Sequence, residues 1–158
     1  MLNSIIGEET FGPVISSYSR AQAIEDGALV DVSNTIEGDT AQRCPFKYPV
    51  AMTIAAYSAA ICAGGKWVNA PELPGDEGSA SSILELPGGQ DAQGRLHDVF
   101  WMLSLAIKRA AGPSDRVEFT VLVDVHGNGR KTRVDLYSVC GPGDTKAPVI
   151  TIMLQGED

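Results

Sequence analysis

Arg116 to Val125 reads RVEFTVLVDV, and this stretch decides the fold. Val117, Phe119, Val121, Val123 and Val125 fall on one side of an extended chain, with Glu118, Thr120 and Asp124 on the other. That period of two belongs to a half-buried strand. His126-Gly127-Asn128-Gly129 follows, and Asn-Gly is a strong hairpin signal because both residues tolerate positive φ. Arg130 to Val139 runs back, and Cys140-Gly141-Pro142-Gly143-Asp144 turns the chain again. Pro148 to Leu154 (PVITIML) is almost wholly apolar, as a strand buried on both faces would be. Residues 116–154 therefore predict a three-stranded antiparallel meander.

Working outward, Gly94 to Ala111 is the clearest helix. Leu96, Val99, Phe100, Leu103, Ile107 and Ala110 recur at helical spacing, Lys108-Arg109 suit the negative helix end, and Gly112-Pro113 stops it. Phe100, Leu103 and Ile107 are expected to cover Val117, Phe119 and Val121. Trp101 is expected at the edge of that core. Ser17 to Gly27 predicts a short capped helix, and Leu29 to Val32 a short strand. Asn34 to Thr40 reads as a loop. Val50 to Ala63 (VAMTIAAYSAAICA) is apolar almost all round and predicts a buried helix ended by Gly64-Gly65. Residues 66–93, with Pro71, Pro74 and Pro87, read as a long surface loop in which Ile83 to Leu86 forms an edge strand. The expected class is α+β: one domain over 1–158, with helices on one face of a small, mainly antiparallel sheet.

The chain has 158 residues and a net charge of −8. That length is enough to bury a core without a disulfide or metal. Three cysteines without Cys-x-x-Cys spacing suit a reducing cytoplasm. The N-terminus lacks a basic segment, so no signal peptide is expected, and no apolar run has the length of a membrane span. The charge is uneven: residues 1–94 hold 12 acids against 4 bases, whereas residues 95–158 hold 8 of each. The acidic part disfavours contact with nucleic-acid phosphates and favours a basic protein surface. Glu25, Asp26, Asp31, Glu37, Asp39, Asp76 and Glu77 are the candidate acidic surface, and Trp67 is the candidate aromatic anchor.

Chemistry-bearing constellations are sparse. Cys140 before a Gly-Pro-Gly turn can act as a nucleophile only with a base beside it, and His97 and His126 are the two histidines available. Asp124, Asp144, Glu118 and Asp135 can serve acid–base work, or simply line the wet face of a sheet. Arg130, Lys131 and Arg133 form a basic patch of the kind that protects a hairpin edge. No pair has metal-ligand spacing, and no phosphate-binding loop is present, so neither metal nor cofactor is expected.

Two longer strings add to this. SYSRAQAI (17–24) with Asp26-Gly27 and LVDVS (29–33), and the ending VCGPGD (139–144) with PVITIML and Gly156-Glu157-Asp158, enclose FKYPVA (46–51) and Arg95-Leu96-x-Asp98-Val99. Together they resemble an uncharacterised bacterial family of small proteins carried on plasmids, phages and integrative elements. The resemblance implies an accessory gene in a bacterial cytoplasm and supplies no catalytic residue. The expected function is non-enzymatic: an acidic binding protein inhibiting a host-defence complex, CRISPR or restriction, through a basic surface. The alternatives are a small enzyme using Cys140 or strand-end carboxylates, and an accessory homodimer.

Overall fold

The computed structural model describes residues 18–33, 44–69 and 82–157. A five-stranded sheet runs in the order β1 (Leu29–Asp31), β2 (Val50–Thr53), β7 (Pro148–Leu154), β6 (Thr132–Pro142), β5 (Arg116–Val123). Every pairing is antiparallel except β2 with β7. Strands β5, β6 and β7 are the expected meander. A separate antiparallel pair joins β3 (Lys66–Asn69) to β4 (Ser82–Glu85). Helix α1 spans Arg20–Glu25, α2 spans Ile54–Tyr57 and widens into a π-helical turn at Ser58–Cys62, and α3 spans Ala92–Arg109. The α+β class is as the sequence implies.

One face of the sheet carries the core. Phe119 lies opposite Leu136 and Val121 opposite Val134, while Ile150 and Ile152 continue the layer to Val50 and Met52. Against it pack Ala56, Ala60 and Ile61 from the α2 segment, and Leu96, Val99, Phe100 and Leu103 from α3. Leu103 is fully buried, as expected. Ile107 is not part of that packing: it lies beyond the covered end of the helix and is 42% exposed. Short α1 meets the other face, where the Arg20 guanidinium donates to Thr151 Oγ1 at 3.3 Å.

Two expectations about the middle of the chain are corrected. Val50 to Ala63 is not one helix. An apolar run without a polar stripe carries no helical phase, so capping and pairing decide where the strand stops. Thr53 Oγ1 accepts from the Ala56 N–H at 3.2 Å and starts α2 there, leaving Val50–Thr53 to fill the gap between β1 and β7. Residues 66–93 are not one long loop either. The strand expected at Ile83–Leu86 is β4, which pairs with β3, and α3 begins at Ala92, capped by Asp91 accepting from the Gly94 N–H at 2.7 Å. The central part, 70–81, lies outside the described residues, as does the expected loop at 34–40.

The β5–β6 connection turns at Gly127–Gly129, with both glycines at positive φ, and is longer than a two-residue turn. It spans 124–131 and is organised by one side chain. The Asp124 carboxylate accepts from the backbone N–H of His126 (3.2 Å), Gly127 (2.8 Å) and Gly129 (2.7 Å). Gly127 takes φ +68°, and a Cβ there would run into the backbone of Pro87 and Gly88. Asn128 keeps negative φ and instead accepts from the Arg130 N–H. Behind the loop lies Arg95, 5% exposed. Its guanidinium donates to the carbonyls of Ile61 (2.9 Å), Ala63 (2.7 Å) and Asp124 (2.9 Å), and to Gln90 Oε1 (3.1 Å). Gln90 Nε2 donates to the carbonyls of Pro87 and Asp124. One arginine thus ties the end of the π-helical turn, the Pro87–Gln90 turn and the β5–β6 loop together. Gly64 closes the same junction: it takes φ +75°, and a Cβ there would collide with the Val125 carbonyl.

Candidate functional site

Three of the seven candidate acids are described. Glu25 and Asp26 end α1, and Asp31 ends the adjacent strand β1; all are exposed. Asp26 accepts from Tyr18 Oη at 3.1 Å and Asp31 from the Ser33 N–H at 2.9 Å, so both still present free carboxylate oxygen to solvent. They occupy one corner of the molecule, at the β1 edge of the sheet. Glu37, Asp39, Asp76 and Glu77 lie outside the described residues.

Trp67 sits on strand β3, not in a loop, opposite Leu84 of β4, and is 65% exposed. Ile83, opposite Val68, is 47% exposed. Successive strand residues point to opposite faces, so this two-stranded ribbon offers an apolar side chain on each. Trp67 is the larger of the two uncovered side chains and the one an approaching surface would bury most. Trp101 also departs from expectation: it lies on the outer face of α3, 59% exposed, stacked on His97 at 6.4 Å.

The constellations considered for catalysis are not assembled. Cys140 is exposed at the end of β6, in a groove of about 380 Å³ lined by Phe46, Tyr48, Ile107, Pro113 and Val117 among others. Neither histidine lines that groove. His97 borders a different, polar hollow with Gln90, Asp98 and Lys131, and His126 belongs to the β5–β6 loop. All three cysteines are free. Among the described residues, no three His, Cys, Asp or Glu side chains gather as metal ligands.

The strand-end carboxylates have structural partners. Burial works to raise the Asp124 pKa, but the N–H groups of Gly129, Gly127, His126 and Asn128 outweigh it and hold the carboxyl below its ordinary value. Asp144, in the β6–β7 turn, accepts from the N–H of Ala21 (2.9 Å) and Arg20 (2.8 Å), which lowers its pKa and pins α1 to the sheet. Asp135 is lowered by Thr120 and Arg133, which donate to it at 2.6 and 2.7 Å. Glu118 pairs with Arg116, whose guanidinium also lies over the Tyr137 ring at 3.7 Å. Arg133 is thus neutralised, while Arg130 and Lys131 remain exposed at the hairpin. A general acid needs a pKa raised toward neutrality, and Asp124, Asp135 and Asp144 are shifted the other way.

Arg95 is the residue the sequence reading passed over. Its signal was its place on the α3 stripe, four residues before Val99, where an apolar side chain is expected.

An α+β domain with a capped meander and an exposed ribbon is the class these features define. A model of a family of unknown function, DUF6573, matches residues 9–158, and the chain belongs to that family. No curated protein and no solved structure compared with the chain matches it.

Proposed function

We propose that this protein is a non-enzymatic binding module that engages a basic protein surface through its acidic α1–β1 corner and the Trp67 ribbon. The observation that carries this reading is the ribbon itself. Trp67 and Ile83 stand in water on a two-stranded element, next in sequence to an acidic stretch, and burying a tryptophan supplies much of a typical hot spot. The acids add long-range steering rather than contact energy. The family brings no assigned reaction, and the carboxylates most suited to chemistry are already engaged in holding loops. In its sharpest form the partner is a nucleic-acid-binding defence complex, CRISPR or restriction, and the gene an accessory of a mobile element.

Affinity capture from a bacterial host, followed by binding kinetics at two salt concentrations, tests this. Trp67→Ala should weaken binding, and reversing Glu25, Asp26, Glu37 and Asp39 to Lys should slow association. A salt-independent association rate would remove the charge-complementary reading. Protection of a phage or plasmid from CRISPR or restriction by the expressed protein would establish the sharper form, and absence of protection against either system would remove it. The groove at Cys140 favours a second reading, a thiol-dependent enzyme. Loss of activity on Cys140→Ser, with Trp67→Ala neutral, would select it.

A further inference from the structure

β5 ends the described sheet, and the phase of its outer side can be derived. The Cys140 N–H donates to the Asp115 carbonyl at 2.8 Å, just before β5 begins. Bonded pairs alternate along an antiparallel ladder, so odd-numbered residues of β5 bond β6 and even-numbered ones face outward. Arg116 is the first outward residue, and it is already closed: the Ser114 hydroxyl donates to its carbonyl at 2.6 Å and accepts its N–H at 3.3 Å. Glu118, Thr120 and Leu122 come next, and no described residue bonds their outward backbone groups. Leu122 is also 60% exposed. An open edge of this kind is a template for another strand.

Beside that edge runs a stripe of α3. Met102, Leu105 and Arg109 line a groove of about 460 Å³ with Phe119 and Thr120 of β5; by helical spacing Asp98 continues the stripe one turn earlier, where it borders the polar hollow shared with Lys131. The spacing Asp98, Met102, Leu105, Arg109 is that of a helix–helix seam. Met102 and Leu105 are half-buried, Asp98 and Arg109 exposed. The stripe is symmetric about its midpoint between Leu103 and Ser104. Asp98 and Arg109 lie equally far from that point, and so do Met102 and Leu105. Placed against itself in the opposite direction, it sets acid on base at both ends and Met102 on Leu105 between. Such self-complementarity is what an isologous two-fold contact requires, and it singles out a second copy of this chain as the occupant.

We propose that the protein forms a two-fold dimer in which β5 edges pair antiparallel near Phe119 and the α3 stripes meet alongside. Glu118 of each copy then bonds Thr120 of the other. An eight-residue strand is about 26 Å long and the two layers about 20 Å deep, so the flat footprint is on the order of 500 Å² per copy. That is below the roughly 800 Å² of a standard interface, so the dimer should be reversible, with a dissociation constant in the micromolar range.

Sedimentation equilibrium of the full chain from about 1 to about 200 µM spans that range. Asp98→Arg or Arg109→Asp alone should weaken dimerisation roughly tenfold, because each turns two attractive contacts per dimer into repulsive ones. Combining them restores opposite charges and should return the constant to within about threefold of the parent, within the scatter of such cycles. Glu118→Pro removes an outward N–H that β6 does not use and should also weaken the dimer, with circular dichroism and Tm unchanged. A chain monomeric throughout the range would overturn the proposal. So would a dimer indifferent to both Asp98→Arg and Glu118→Pro, which would place its contact elsewhere. The Trp67 and acidic-corner variants leave this equilibrium unmoved, so it is tested independently of the proposed function.

Discussion

The molecule contains two hairpins that are covered to different extents. β5–β6 is fixed both within its own loop and from outside. Asp124 gathers three N–H groups of its loop, Arg95 clamps that loop to a distant helical turn, and α3 covers one face. β3–β4 has a ladder of its own, but both Trp67 and Ile83 point into solvent. Its two ends are held by the same Arg95 network, at Ala63 before β3 and through Gln90 at the Pro87 turn after β4, and Leu84 and Leu86 fold back over Gly65 at the start of the ribbon. The first hairpin is invested in stability and leaves little free for a partner. The second leaves Trp67 and Ile83 largely uncovered, so it is expected to contribute less to stability.

Arg95 should show the largest effect in this comparison. Arg95→Ala leaves the carbonyls of Ile61, Ala63 and Asp124 without their donor in a closed site. At about 1–3 kcal/mol for each unsatisfied buried group, partly relieved by water, a loss of roughly 3–5 kcal/mol is expected in urea titration. A loss below about 1 kcal/mol would mean the clamp is dispensable and the apolar face alone holds β5–β6.

Leu103→Ala comes next and separates apolar from polar anchoring. Leu103 is fully buried against the meander, so a loss of about 2–5 kcal/mol is expected. If the two variants prove additive, core and clamp act independently; if the double variant loses much less than the sum, they support one cooperative unit.

The third test uses pH. Asp124 and Asp144 have carboxyl pKa values lower in the folded chain than in the unfolded one. Such groups contribute stability that is present above the unfolded value, near 4, and lost as pH falls through the folded one. The urea midpoint should therefore drop as pH is lowered below about 4. Asp124→Asn should lower the midpoint at pH 7 and flatten that acid limb. An unchanged limb in the variant would show that other carboxylates carry it.

Trp67 should show the smallest effect on stability and the largest on binding. Trp67→Ala should change stability by less than about 0.5 kcal/mol, because the ring is already in water. The same change should cost tenfold or more in affinity for a captured partner, as loss of an aromatic anchor does. A large stability loss would show that the ribbon belongs to the core and would erase the contrast between the two hairpins.

How far each region was legible follows from where its determinants lie. Residues 117–125 alternate, and α3 has an apolar stripe at helical spacing, so both could be read directly. Val50 to Ala63 could not. Its strand and helix are both apolar, and the division at Thr53 rests on a hydroxyl that caps Ala56 while donating to Glu157 at 2.7 Å, over a hundred residues away. The pairing of β3 with β4 was hidden for the same reason, since each strand has four residues and its partner lies across an intervening segment. Of the candidate site, Trp67 could be named from its type and neighbourhood, but its place on a ribbon could not.

The sequence by itself determined the α+β class, the C-terminal meander, the core helix and the acidity of the first part of the chain. Each of these is written in periodicity or composition within a few turns or strands. Tertiary structure alone decided that β2 slots parallel beside β7, that Arg95 is buried among carbonyls, that Cys140 and the histidines stay apart, and that Asp124 and Asp144 serve as loop and helix caps. Those outcomes depend on which distant groups arrive within hydrogen-bonding reach, and a carboxylate or guanidinium looks the same in a sequence whether its partner is water, a backbone or another protein.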